Sequence, residues 1–548
     1  MRLIFTVLWV GLLCFQRIYA QNNAKYLVLL KDKANSPFSI SNPKAFLSER
    51  SIARRLRQQI SITTRDLPVS PSYISQIRQT GSKVWFTSRW LNAVLVEATP
   101  SQLHAVRQLS FVKGIEFNRP LANARLSAEN QVQERHHKFG TEALEYGASL
   151  NQIQMLGIDK MHEQGHTGKG VWVAILDGGF RNSNTNIALK TLFDEKRVIG
   201  TYDFVRNETS VYEDDAHGNN VLSIMASLRP NALIGSAFGA SYLLLRTEDA
   251  ATETRLEEAN WLFAAEYADS VGVDIINSSL GYYNFDNPAD DYKYADMNGR
   301  TTLVTRAAAW AAAAGIVVVV SAGNEGNVAW RYITAPADAD SILAVGAVNG
   351  AQIRTAFSSI GPTADGRVKP DLCAQGQATV LSNQFGNTTI GNGTSYSSPL
   401  IAGLAAGFWE AFPQLSAMQV IDCLRKAGDR FNAPTPEYGF GIPTFERAAD
   451  IARRDYDYLF QNADSTVVYP NPISVSTPLQ IRWGKEFDKN NLSSTLYDIS
   501  GKTWLYQQAS TSQVISRLPL PSSLPAGIYF LKLNDNRRER VFKIIVSN

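Results

Sequence analysis

The chain has 548 residues, 45% apolar and 19% charged, an ordinary globular composition that excludes a disordered chain or a collagen-like polymer. Three cysteines exclude a disulfide-built scaffold, and at roughly 100–200 residues per domain the length allows about three domains. The net charge of +3 averages an uneven distribution: residues 2–20 carry +2, 21–130 carry +10, 131–455 carry −12 and 456–548 carry +3.

Met1 and Arg2 begin a short positive region, residues 3–15 carry no charge, and small Ala20 suits a cut after it. Residues 1–20 therefore read as a secretory signal peptide, with an uncleaved anchor or a lipoprotein signal through Cys14 as the alternatives. No later stretch reaches 18 uncharged apolar residues, so no transmembrane span is expected further along. Cys373 and Cys423 remain after cleavage and are expected as buried free thiols rather than a pair.

Strand-like runs at 25–30, 83–86, 93–96 and near 115–117, with helical patterns at 43–57 and 100–109, predict a compact α+β unit within 21–130. The following stretch is polar and aperiodic, and 131–149 reads as a cleavable linker. Residues 150–455 alternate apolar runs (171–176, 242–245, 273–276, 316–320, 342–345) with helical segments (217–228, 254–270, 302–314, 395–411). That alternation predicts an α/β domain, a parallel sheet covered by helices on both faces. Residues 282–301, rich in Tyr, Asp and Asn, read as a loop insertion, and 465–548 as a small all-β module of short strands and turns.

Four features fall where an open parallel sheet collects reactive groups, at strand ends and helix starts. Asp177 ends the run Val173-Ala174-Ile175-Leu176 and is followed by two glycines. His217 opens an amphipathic helix carrying Val221, Ile224, Met225 and Leu228. Asn324 follows the apolar strand 316–320. Ser395 begins a helix rich in small residues, with Pro399 tolerated in its first turn. Alone, each has a structural reading: loop cap or metal ligand, surface histidine, turn residue, N-cap. Together they form an acid, base and nucleophile with a donor for an oxyanion. A serine hydroxyl needs a neighbouring imidazole to take its proton, and the imidazole needs a carboxylate to fix its tautomer.

These residues carry a resemblance to the subtilisin-like serine proteases. The boxes are Ala174-Ile175-Leu176-Asp177-Gly178-Gly179, His217-Gly218-Asn219-Asn220-Val221, Asn277-Ser278-Ser279-Leu280-Gly281, Ala322-Gly323-Asn324 and Gly393-Thr394-Ser395-Tyr396-Ser397-Ser398-Pro399. The resemblance implies Ser395 as nucleophile, His217 as general base and then acid, Asp177 as the orienting carboxylate, and Asn324 sharing the oxyanion with the Ser395 N–H. It implies substrate binding by Ser279, Leu280, Gly281, Ala322 and Gly323. Gly178, Asn219, Asn220, Tyr396 and Ser397 depart from the family's usual residues, and none of them removes a group that moves a proton. The fold implied is a subtilisin-like sheet over 150–455. It requires no cofactor; structural calcium is compatible with the family but cannot be assigned to residues.

Residues 24–120 resemble the family's inhibitory propeptides, with a ferredoxin-like α+β fold; a permanent accessory domain is the alternative. A +10 segment suits clamping a −12 domain, so the chain's own propeptide is the expected inhibitor. The tail resembles the C-terminal sorting domains of the type IX secretion system of Bacteroidetes. The carrying residues are Val468-Tyr469-Pro470-Asn471-Pro472, Leu496-Tyr497-Asp498-Ile499-Ser500-Gly501-Lys502 and Leu524-Pro525-Ala526-Gly527-Ile528-Tyr529. A carbohydrate- or surface-binding β-sandwich is the alternative for that tail. The expectation is a secreted or cell-surface endopeptidase made as a zymogen, exported through the periplasm and acting on protein or peptide substrates. The competing reading is a non-catalytic adhesin or scaffold on the same fold. No nucleic-acid partner is expected, and an esterase reading fails because the order is Asp, His, Ser and Gly-x-Ser-x-Gly is missing around Ser395.

Overall fold

The computed structural model describes residues 23–123, 145–456 and 466–547, the last apart from 470, 472, 476–477, 485, 489 and 510–514. The expected signal peptide and most of the expected linker lie outside the described residues.

Seven parallel strands form the central sheet, in the order Leu372–Gln375, Leu343–Val348, Val317–Ser321, Ile275–Ser278, Trp172–Asp177, Ser241–Arg246 and Val198–Asp203. Alternate residues of Trp172–Asp177 enter two different cores. Val173 and Ile175 pack with the helices His217–Ala226 and Thr394–Ala411, whereas Ala174 and Leu176 pack with Arg255–Val271 and Leu303–Ala313. Both faces are dry, which is why the strands read as unbroken apolar runs. The four expected helices appear within two residues of their expected ends.

Thr394–Ala411 is buried along most of its length, as its small residues suggested. A Cβ on Gly403 would lie 1.9 Å from Ser236 Oγ, and one on Gly407 2.4 Å from the Met161 side chain. The glycines let this helix lie close against its neighbours, which fixes where its first turn, and Ser395, must sit.

The N-terminal unit is an antiparallel sheet in the order Lys83–Ser88, Ala93–Ala98, Ala24–Leu30, Val112–Ile115, with helices Pro71–Gln79 and Pro100–Arg107 in the two crossovers, the ferredoxin-like arrangement. The helix expected over 43–57 is two pieces, a 3-10 turn Pro43–Ala45 and the helix Glu49–Arg57. Ser48 makes the break, because its side chain accepts the Ser51 N–H and caps a new helix. This unit docks on Arg255–Val271. Buried Asp269 bonds Arg54, Arg55 and Arg89, and Glu266 accepts from the Ser88 hydroxyl and from the Arg89 and Trp90 N–H groups. The charge asymmetry of the sequence is thus spent on specific ion pairs between the two units.

The tail forms two sheets around one core. Val467–Tyr469, Leu479–Arg482 and Ile515–Leu518 make the smaller; Ile473–Ser474, Glu539–Ser547, Gly527–Asn534, Leu492–Asp498 and Thr503–Ala509 make the larger. Ile481, Trp483, Leu496, Leu531 and Ile544 fill the space between them. Cys373 and Cys423 are buried and unpaired. Among the described residues, no helix is long and apolar enough to cross a membrane.

Candidate active site

The register of the parallel sheet sets out the site. Ser278 lies beside Leu176 and Val320, so the segment after Ser278 runs between Asp177 and the loop carrying Asn324. Asp177 is fully buried at its strand end. Its Oδ1 accepts the Gly178 N–H at 2.8 Å and the His217 Nδ1–H at 2.9 Å. His217 is placed by its helix start, where the Asp215 carboxylate accepts its backbone N–H at 2.6 Å. Burial opposes charge on the His217 ring, but the Asp177 carboxylate, its hydrogen bond and Asp215 outweigh this and hold the ring above its ordinary pKa. Asp177 Oδ2 is buried and takes no hydrogen bond among the described residues. A carboxylate so poorly solvated favours a positive imidazole beside it.

Ser395 stands in the first turn of Thr394–Ala411, nearly buried. Its Oγ donates to the Ser279 carbonyl at 3.3 Å, and the Ser279 hydroxyl donates to the Ser395 carbonyl at 2.9 Å. Among the described residues no hydrogen bond joins Ser395 Oγ to His217. Farther along the helix, Ser398 Oγ donates to Asn277 Oδ1 at 2.9 Å, tying helix to strand. Asn324 is exposed, and its Oδ1 accepts the Thr394 N–H at 2.8 Å and the Thr394 hydroxyl at 3.0 Å. With the acceptor end of the amide pinned to the helix start, the Nδ2 donor is turned toward other oxygens.

Leu280 and Gly281 line a cavity of about 250 Å³ together with Asp177, His217, Asp215, Glu248, Asp249, Glu253 and Tyr282. Burial, then like charge, pushes Glu253 up to about 8, and burial raises Glu248, which accepts the Tyr282 hydroxyl at 2.7 Å. This acidic margin was not singled out from the sequence, although Thr247-Glu248-Asp249 and Glu253 between a strand and a helix were its visible signal. Ala322 sits lower than expected: it is fully buried, its N–H donates to Val345 O and its C=O accepts from Thr334 N. The Gly323 N–H meets Thr394 Oγ1 at 3.3 Å and its carbonyl accepts the Ser359 N–H.

The departures from the family pattern have local reasons. Asn219 is fully buried; its amide takes bonds from Ser183 and Asn186 and gives one to Ser382 O, tying the His217 helix to residues 183–186 and to the strand Thr379–Ser382. The Tyr396 ring lies 5.8 Å from that of His217. Among the described residues no three His, Cys, Asp or Glu side chains are grouped to hold a metal ion. The close carboxylates Asp203 and Asp214 are already bridged by the Arg246 guanidinium.

Three family models match in order: the peptidase S8 propeptide domain of Bacteroidota over 25–136, the subtilase family over 168–441, and a secretion system C-terminal sorting domain over 467–547. Subtilisin DY of Bacillus licheniformis is 32% identical over 304 residues, 54% of this chain and 97% of that protein. Subtilisin NAT of Bacillus subtilis subsp. natto is 30% identical over 324 residues, 58% of this chain and 74% of that protein. The solved structure of MycP1 from Mycobacterium smegmatis is 20% identical with a TM-score of 0.45, covering 59% of this chain and 89% of that one.

Proposed function

The chain belongs to the subtilase family and is a serine endopeptidase made as a secreted zymogen, and from that premise we propose that Asp177, His217 and Ser395 are its acyl-transfer triad, with Asn324 as oxyanion donor. The observation that carries this reading is the 2.9 Å bond from His217 Nδ1 to buried Asp177, which leaves Nε2 as the ring's free base.

Ser395 Oγ, turned toward His217 Nε2, gives up its proton as it attacks the scissile carbonyl. Negative charge builds on the carbonyl oxygen, and Asn324 Nδ2 and the Ser395 N–H meet it at the positive end of the helix Thr394–Ala411. His217, then charged and stabilised by Asp177, hands the proton to the leaving amine. A water deprotonated by His217 opens the acyl-enzyme by the same steps in reverse. The peptide backbone lies along Ser279, Leu280 and Gly281 as an added strand, so binding needs no particular side chain there.

The decisive test is a fluorophosphonate probe on the processed enzyme, with the adduct mapped by peptide mass. Label on Ser395 is expected, and loss of that label in a His217→Ala chain matured by a trace of processed wild type. Because His217 is held above its ordinary pKa, kcat/KM should rise with pH through a midpoint above about 6.5. Label on another serine, or none, sinks the assignment.

The C-terminal sorting domain carries the protein to type IX export, ending outside the cell or on its surface. The finer route follows from the leader and the tail: residues 1–20 take the chain to the periplasm and 467–547 take it onward. A chain truncated before 467 is expected to accumulate in the periplasm, as read by fractionation and immunoblot; truncated enzyme reaching the medium at wild-type levels would refute this.

A further inference from the structure

We propose that this peptidase cuts after small residues, glycine, alanine or serine, because Thr334 fills the slot that would receive the side chain before the cut. The inference rests on the triad reading above and names the substrate class of that same site.

The acyl carbon must sit on Ser395 Oγ with its oxygen toward Asn324, while the peptide follows Ser279 to Gly281. Those constraints hold the residue before the cut over the gap between the extensions of Ile275–Ser278 and Val317–Ser321, strands that pair directly in the sheet. Its side chain points down into that gap. The gap is walled by Gly281 on one side and Gly323 on the other, and glycine walls on both sides would ordinarily leave a wide slot.

Here the slot is taken. The segment 332–335 crosses behind it, held by paired bonds between Tyr282 and Ala335 and by Thr334 N donating to Ala322 O. This crossing brings the Thr334 side chain between the two walls. A Cβ on Gly281 would lie 2.2 Å from Thr334 Oγ1, and one on Gly323 would lie 2.9 Å from the same atom and 3.2 Å from Thr334 Cγ2. Ser359 Oγ, 2.8 Å from that same Gly323 position, closes the remaining side. One hydroxyl thus lies where a Cβ on either wall would stand, which leaves the slot short.

Thr334 has a second property. The residue is 2% exposed, and its Oγ1 is buried without a hydrogen-bond partner among the described residues. A buried hydroxyl left unpaired is costly, and apolar packing alone would be served by valine of the same shape. A leucine or phenylalanine would have to displace Thr334, so the steric term discriminates against both.

The test is kcat/KM of the processed enzyme on a peptide series that varies only the residue before the cut, with active sites counted by fluorophosphonate titration. Wild type is expected to prefer Ala, Gly and Ser over Leu and Phe by about 100-fold or more. Thr334→Gly opens the slot and should raise the Phe-to-Ala ratio at least about tenfold; Thr334→Val keeps the volume and should keep the small-residue preference. A ratio is independent of how much of each variant folds. Wild type that cuts after Phe as well as after Ala, a Thr334→Gly ratio that does not move, or a Val variant that gains Phe turnover overturns the proposal. Failure of the triad reading looks different: no peptide of the series is cut and Ser395 takes no label.

Discussion

A Ser395→Ala chain produced without other proteases should keep residues 21–130 attached and hydrolyse peptides about 10⁴-fold or more slowly than the processed wild type. The serine supplies the atom that attacks the scissile carbonyl in the proposed mechanism, and its hydroxyl lies at the helix start where the Asn324 amide is already oriented by Thr394. Removing Oγ leaves that amide and the His217–Asp177 pair in place but nothing for them to activate. Intact mass of the purified chain reads the first outcome, and turnover per folded molecule reads the second. His217→Ala should give the same unprocessed mass, because the members of such a set act as a unit. Adding a trace of processed wild type then separates two routes: conversion of the Ser395→Ala chain would place cleavage between molecules. Efficient processing of Ser395→Ala with no active enzyme present would mean that a different protease matures this zymogen, and self-cleavage would be abandoned.

The proposed catalytic groups could be singled out from the sequence because each stands at a local boundary. Asp177 ends an apolar strand, His217 and Ser395 begin helices, and Asn324 follows a run of four valines. A boundary shows in one dimension. Thr334 does not stand at a boundary; it reaches the cleft only because the segment around it pairs with Tyr282, some fifty residues away, a contact that no local pattern announces. The same distinction explains the missed elements. The central strands are dry on both faces and read as apolar runs, but the edge strand Val198–Asp203 is only half-buried through most of its length and carries Gly200. The other edge strand, Leu372–Gln375, is four residues long and ends in glutamine. The helix Pro71–Gln79 buries only Tyr73 and Ile77, too narrow a stripe for its period to stand out. Segment charge foretold that the N-terminal unit would meet the peptidase domain, but not that the meeting would converge on one carboxylate.

That carboxylate carries the second large effect. In a zymogen nicked at an engineered site between 130 and 131, with Ser395→Ala to prevent further cutting, Asp269→Asn should weaken retention of the N-terminal unit by roughly two to three powers of ten. The Asp269 side chain is fully buried on the helix Arg255–Val271, with Arg55 Nη2 at 2.7 Å and both Arg54 and Arg89 also bonded to it. Burial alone would push this carboxyl up, but the three guanidiniums outweigh it and hold the pKa below the ordinary value, so the group is charged at neutral pH. Asparagine keeps the shape and removes the charge; Arg55 keeps its ion pair with buried Asp66, but the charge shared with Arg54 and Arg89 is lost, and breaking such a network costs about 3–5 kcal/mol. Arg54 is the most exposed to this loss, since its charge is itself opposed by burial and its other bonds go only to neutral acceptors. Asp274→Asn is the internal comparison. Its partners Arg50 and Arg57 keep 34% and 42% of their side-chain surface in solvent, where water replaces much of what is lost, so at most about a tenfold change is expected. Co-elution across a dilution series, or surface-immobilised binding, reads both variants. Retention unchanged in Asp269→Asn would show that Glu266, with its bonds from Ser88, Arg89 and Trp90, holds the two units together without the arginine cluster.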